Sequence, residues 1–308
     1  GLTLPGEKAE LECGSAVHEA LAVWLTRDGD TALALTRFDV RYKQWAAAHV
    51  PAIDEQGKAS RLAWKPVRRV LEYWFDQHPL REWSWKVDPE DVEIAVWAQL
   101  GVVTENGKLV MGKEPGKGEG RMIMVALLDA IGTSSTGGRW SIDHKTTKAT
   151  HQWWRERQED SSQFTGQLWI AAQRGLALTG IVVNGLEIPN LNSSDKRCAA
   201  HGLPYRECAL AHVKGAVVPL MRPRYEIEAW EQAARGLAKR FLRLRRVETI
   251  EDVRELSMNG RFTGACRWCG FREWCRVGRP ARGTAQFVVE RWEPLAHAQR
   301  RGGVRDLG

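Results

Sequence analysis

"RWSIDHKTTKATHQWW", residues 139–154, sets an apolar strand end directly against charge. Ser141 and Ile142 read as the close of a buried strand, and Asp143, His144 and Lys145 follow at once. On a strand, residues i and i+2 share a face, so Asp143 and Lys145 are expected to point the same way. Burying opposite charges together is costly unless they serve a purpose. Upstream, "RMIMVALLDAI" (121–131) is apolar almost throughout until Asp129, as expected for a strand covered on both faces. "GTSSTGG" between the two runs carries strong turn chemistry, so they are expected to form a hairpin. Strand pairing then brings Asp129 to the same end as Asp143. Two converging carboxylates make a hard, oxygen-rich site suited to Mg²⁺ or Mn²⁺. Lys145 beside a metal-bound water can orient or deprotonate it, or stabilise charge on a phosphate. The group set fits metal-assisted phosphodiester hydrolysis. A surface hairpin with a solvated Asp and Lys is the plain alternative, since Asp-x-Lys alone is a short, common pattern.

The rest of the 308-residue chain is of ordinary globular composition, 43% hydrophobic and 27% charged, which argues against a disordered or fibrous protein. Lys and Arg exceed Asp and Glu by 7, a balance that invites a polyanionic partner without proving one. Fifteen tryptophans could supply stacking surfaces, though most are expected in the core. No apolar run approaches the ~20 residues that span a bilayer. The start "GLTLPGEKAE" lacks the basic end and apolar stretch of a signal peptide, so an intracellular protein without a membrane partner is expected. Because the chain begins with Gly1, a processed or truncated N-terminus is also expected.

Apolar periodicity predicts helices over 14–25 (with Ser15 as cap), 65–77, 163–176 and 226–248. In the last of these, Ile227, Trp230, Ala234, Leu237, Phe241 and Leu244 form the expected inner side. Lys239, Arg240, Arg243, Arg245 and Arg246 lie elsewhere on it and at its end, candidates for steering a DNA backbone or simply a solvated face. Residues 104–120 read as hairpin and loop, and "TGIVVNGLEI" (179–188) as a further strand.

The order of motifs, "GSAVHEAL", then "LLDAI", "IDHKT" and "QFTGQ", resembles the PD-(D/E)XK nuclease superfamily, closest to its RecB-like branch. The resemblance implies an α/β restriction-endonuclease-like core with a central mixed sheet flanked by helices. It implies His18 as the histidine near the metal, Asp129 and Asp143 as metal ligands, and the main-chain carbonyl of His144 as a further one. Lys145 would be the catalytic lysine, and Gln163 the first residue of the Gln-x-x-x-Tyr helix motif that contacts DNA and supports the site. Glu93 falls where this branch often has a glutamate. Gln167 stands in the place of the motif's Tyr, so that residue's role is expected to be missing. The segment before Asp129, "VALL", lacks a Gly that relatives commonly have.

Cys266, Cys269 and Cys275 form a C-x₂-C-x₅-C run, and clustered cysteines in a long intracellular chain suggest metal. Zinc with a fourth ligand and an iron–sulfur cluster both accept such a set. The resemblance favours a structural [4Fe-4S] cluster whose fourth thiolate comes from the N-terminal region, where Cys13 is the available residue or the ligand lies outside this chain. Cys198, His201, Cys208 and His212 form a C-x₂-H-x₆-C-x₃-H set that suits Zn²⁺, against stray loop residues as the alternative.

The expected organisation is a RecB-like nuclease domain over 1–280. It comprises a helical region over about 20–100, a catalytic core over about 116–190, a Cys/His insertion over 191–214 and a cluster-binding subdomain over 222–280. A basic tail, 281–308, follows. The expected activity is Mg²⁺- or Mn²⁺-dependent DNA hydrolysis, exonucleolytic rather than sequence-specific, in recombination, repair or phage DNA processing. Single strands or duplex ends are the expected substrate, with a helicase or recombination partner, in the cytoplasm of a bacterial or phage-infected cell. The competing readings are an inactive nucleic-acid-binding or assembly module and a zinc-stabilised interaction domain.

Overall fold

The computed structural model describes residues 2–3, 9–50, 60–188, 197, 202–204, 215–244 and 288–289. Three helices come first: α1 (Ala9–Thr26), α2 (Thr31–His49) and α3 (Trp64–Gln77). The side chain of Asp30 caps α2, accepting from the Leu33 amide at 2.9 Å. Val67, Val70, Leu71, Trp74 and Phe75 form the buried side of α3, as their helical spacing predicts. Ser15 does not cap α1. The buried face begins earlier, at Glu12, Cys13 and Ala16, and the helix starts at Ala9.

Six strands form one mixed sheet: β2 (Trp85–Val103), β3 (Leu109–Val110), β4 (Gly120–Ser134), β5 (Arg139–Thr147), β6 (Gly180–Glu187) and β7 (Gly215–Leu220). Their order is β3-β2-β4-β5-β6-β7, with β5 and β6 parallel and every other pair antiparallel. Between β5 and β6 the chain crosses through α4 (Gln152–Glu159) and α5 (Ser162–Gln173), and α6 (Arg224–Leu244) follows β7. Near the chain ends, β1 (Leu2–Thr3) pairs antiparallel with β8 (Val288–Val289).

The sheet is covered on both faces. Helices α1–α3 pack on one face through a core that reaches Ala130, Ile142 and Leu186. On the other face α5 and α6 bury Ile94, Val96, Leu128 and Ile131, and Phe164 and Leu168 of α5 pack on Ile181 and Val183. This is the α/β sandwich expected, with a mixed sheet flanked by helices.

Three sequence expectations need correction. The helical region does not extend to residue 100, because residues 85–103 form β2, the longest strand. The sheet accordingly exceeds the 116–190 core, running from Trp85 to Leu220. Finally, α6 belongs to that same body, with Trp230 against Trp169 of α5, yet Leu237 and Phe241 are exposed rather than inside. Gly166 makes this helix contact close: a Cβ there would lie 2.5 Å from the Trp230 ring.

Candidate active site

Strand β5 alternates sides as its sequence requires. Ile142 enters the α1–α3 core, Asp143 meets α5, His144 turns back toward α1, and Lys145 faces α5 again over the Phe164 ring. Asp143 and Lys145 therefore share a face, and Lys145 Nζ lies 2.6 Å from Asp143 Oδ2. Asp143 Oδ1 faces two amides, Gln163 Nε2 at 3.3 Å and Gln167 Nε2 at 3.5 Å.

Asp129 reaches the same place from β4. The last residues paired between β4 and β5 are Ala130 and Ile142. Just beyond them Asp129 Oδ2 accepts the His144 backbone N–H at 2.7 Å, and Asp129 Oδ1 lies 3.4 Å from His18 Nδ1 of α1. A carboxylate thus takes up a backbone donor where the two strands part.

On the β2 side, Asp129 and Glu93 lie between two paired positions. The flanking pairs Val92–Ala130 and Ile94–Leu128 lie on opposite faces of the sheet, the first against α1–α3 and the second against α5 and α6. Both strands therefore change face between those pairs, and Glu93 takes a left-handed φ of 54° to do so.

Electrostatics follow from burial and crowding. Burial works against ionised Asp129, but the charge and hydrogen bond of His18 and the donors of His144 outweigh it, so its pKa falls to about 2. For His18 burial opposes protonation, yet Asp129 prevails and the imidazole titrates above its ordinary value. Asp143 goes the other way. Burial and the nearby Asp129 charge raise its pKa against the opposing pull of Lys145. Burial drops His144 to about 4, so this imidazole is neutral at physiological pH. The amide of Asn184 on β6 lies 3.0 Å from His144 Nδ1, and Trp83 stacks parallel to the ring.

Two neighbouring carboxylates, Asp143 buried and Asp129 partly buried, one raising the pKa of the other, form a donor set that a divalent cation relieves. Among the described residues no three or more His, Cys, Asp or Glu side chains converge to hold a metal. Asp129 and Asp143 fit a Mg²⁺-type ion, which binds through one or two carboxylates and takes its remaining oxygens from water and substrate phosphate.

A family model for the PD-(D/E)XK nuclease superfamily matches residues 1–276. The chain belongs to the PD-(D/E)XK nuclease superfamily. Nucleases of this superfamily hydrolyse phosphodiester bonds and typically use Mg²⁺ or Mn²⁺. A search of curated proteins finds no matching relative.

Of the residues singled out from the sequence, His18, Asp129, Asp143, His144, Lys145 and Gln163 meet in this one cluster. Lys239, Arg240 and Arg243 are exposed on α6. Cys13 is buried in the helical core, with Tyr42 as its hydrogen-bond partner, and burial pushes its thiol up to about 12. Cys198, His201, Cys208, His212, Cys266, Cys269, Cys275, Arg245 and Arg246 lie outside the described residues. Gln167, Asn184 and Trp83 joined the site without being foreseen. Gln167 had a signal, its place in the Gln-x-x-x-Tyr pattern, but its identity pointed to a lost role.

Proposed function

We propose that this nuclease is a divalent-metal-dependent deoxyribonuclease that digests DNA from its ends. The observation carrying the hydrolytic reading is the pairing of Lys145 with Asp143 on one face of β5, beside a second, partly buried carboxylate, Asp129. The net charge of +7 supports a polyanionic substrate. The preference for DNA ends rests on the resemblance to RecB-like nucleases.

In this reading Asp129, Asp143 and the His144 carbonyl would hold Mg²⁺ or Mn²⁺, and the ion would supply Lewis acidity and a water of lowered pKa. His18 fixes the Asp129 carboxylate through its Oδ1 contact. Gln163 and Gln167 hold Asp143 from the α5 side and keep it aimed. Lys145 provides the mobile cation: it orients the attacking water and donates a hydrogen bond to the phosphate oxygen that gains charge. Lys145 lies 2.6 Å from Asp143 Oδ2, and it would be released toward substrate where that carboxylate's charge were shared with a bound metal.

The C-terminal cysteines Cys266, Cys269 and Cys275 are proposed to bind a structural [4Fe-4S] cluster, with Cys13 or a residue outside this chain as the fourth ligand. Equimolar iron and acid-labile sulfide in the purified protein supports that; zinc alone contradicts it. The activity itself is tested with end-labelled linear DNA and a covalently closed circle, each with Mg²⁺ or Mn²⁺. Loss of the linear substrate with an intact circle supports an exonuclease. Nicking of the circle makes it an endonuclease, and no cleavage of either favours a binding module.

A further inference from the structure

Asn184 carries the one polar side chain of residues 180–186 in β6, all of which are buried. It is 4% exposed, and its amide lies 3.0 Å from Nδ1 of His144, itself 3% exposed. The parallel register of β5 and β6 sets the two residues opposite each other. Around the ring, Trp83 lies parallel at 6.2 Å between centroids, and His18 stands edge-on at 6.1 Å. A buried amide must be matched by a partner, whereas two apolar residues would fill the same space with nothing to satisfy. The pair calls for a role beyond filling the core.

His144 stands between Asp143 and Lys145, and its side chain leaves the strand on the face opposite theirs. Its backbone N–H donates to Asp129 Oδ2 at 2.7 Å. On a strand the N–H and C=O of one residue leave on the same side, so its carbonyl also turns toward β4. The last β4–β5 pair is Ala130–Ile142, so at His144 the β4 ladder no longer fixes that backbone. The ring is held instead, from behind, by Asn184 and Trp83. We propose that Asn184 is a positioning residue for the metal centre: through the His144 ring it keeps the backbone amide and carbonyl of His144 in line with Asp129 and Asp143. The inference rests on the nuclease reading, in which that carbonyl and the two carboxylates are the metal ligands, and it adds a residue that reading does not use. Loss of a group that orients a metal ligand typically costs about 10–100-fold in metal affinity.

The test titrates Mn²⁺ into the DNA-free full chain and follows free Mn²⁺ by electron paramagnetic resonance, with Asp143→Asn marking the site. Asn184→Leu is similar in size and removes the amide. Its Kd for Mn²⁺ is expected to rise about 10–100-fold, while DNA affinity in EDTA stays within a few-fold. Cleavage is expected to fall at limiting Mn²⁺ and to recover at saturating Mn²⁺, a change in metal requirement rather than in kcat. Because Asn184→Leu strands the His144 ring without its partner, a second variant joins it to His144→Phe. An apolar pair of similar shape is nearly neutral for stability, and the new ring still packs on Trp83. The metal affinity of this double variant is expected to fall only as far as that of Asn184→Leu, since residues acting as one unit do not add.

An unchanged Mn²⁺ Kd in the folded double variant overturns the proposal. So does earlier melting of Asn184→Leu with parent-like metal affinity, which makes the pair a device of packing and strand register alone. A loss of kcat that saturating Mn²⁺ does not restore, with Kd unaltered, overturns it too. The arms separate the two readings. Mn²⁺ binding that depends on Asp143 and cleavage that depends on Lys145, with parent-like affinity in both Asn184 variants, remove only this inference. Mn²⁺ binding that Asp143→Asn does not weaken removes the metal centre of the nuclease reading, and this inference with it.

Discussion

Glu93 and Asp129 lie between the pairs Val92–Ala130 and Ile94–Leu128, where β2 and β4 turn their side chains from one helical layer to the other. The turn-over lets Asp129 leave the alternation of β4 and reach His18 on one oxygen and the His144 amide on the other. Its backbone cost sits on Glu93, whose φ of 54° is uncommon for a residue with a Cβ.

That cost is measurable. Glu93→Gly relieves the left-handed backbone while losing the side chain, so its stability is expected within about 1 kcal/mol of the parent. Glu93→Val, β-branched and hardest to hold at positive φ, is expected to be less stable than the Gly variant by about 1–2 kcal/mol. Urea unfolding of both variants decides it, and Val matching Gly would contradict the backbone account.

Gln167 stands where the sequence pattern has Tyr, yet its amide reaches Asp143 Oδ1 alongside Gln163. Gln167→Leu keeps the size and removes the donor. Hydrolysis is expected to drop about 10–100-fold, the usual effect of losing a group that orients a metal-binding carboxylate. Thermal melting checks that the fold persists; full activity would show that the amide contributes nothing.

Asp143 is held beside Asp129 at a cost in the metal-free protein, since burial and that neighbour both raise its pKa. Asp143→Asn is therefore expected to melt no earlier than the parent in EDTA. Saturating Mn²⁺ is expected to raise the melting temperature of the parent by about 2–4 °C and that of Asp143→Asn hardly at all. Equal stabilisation of both by metal would place the ion elsewhere.

Much of this site was legible before any coordinates. The hairpin followed from two apolar runs around a Gly/Ser/Thr turn, and the shared face of Asp143 and Lys145 from strand periodicity alone. Strand β2 was not legible because Asp88, Pro89, Glu90 and Asp91 interrupt it with residues that ordinarily end a strand. The structure absorbs them in the register shift between Val87 and Val92. Leu237 and Phe241 misled for the opposite reason: helical spacing marks a common face, and only the packing of α6 shows that this part of the face borders an open groove. Asn184 carries no local signal, since its contact with His144 depends on the parallel register of β5 and β6.

Cys13 supplies a pH test of the helical core. The folded thiol keeps its proton to about pH 12, whereas an unfolded thiol loses it near 9.0. Between those values the unfolded state binds fewer protons, so stability falls as pH rises, by up to about 1.4 kcal/mol per unit for this group. Cys13→Ala is expected to be less stable at pH 7 through lost packing, and to show a shallower decline between pH 9 and 10. Identical alkaline slopes by urea titration would show that the Cys13 thiol ionises without unfolding.

The central claim is that Lys145 and the carboxylate beside it perform hydrolysis. The most direct measurement follows labelled DNA with Mg²⁺ or Mn²⁺ for the parent protein and Lys145→Ala, purified in parallel, with binding measured in EDTA. The account predicts a loss of about 10²–10⁴-fold in cleavage, the range of a transition-state donor or base, with DNA affinity kept within a few-fold. Equal cleavage by the two proteins would contradict it, and would move the chemistry away from the β5 face that Asp143 and Lys145 share.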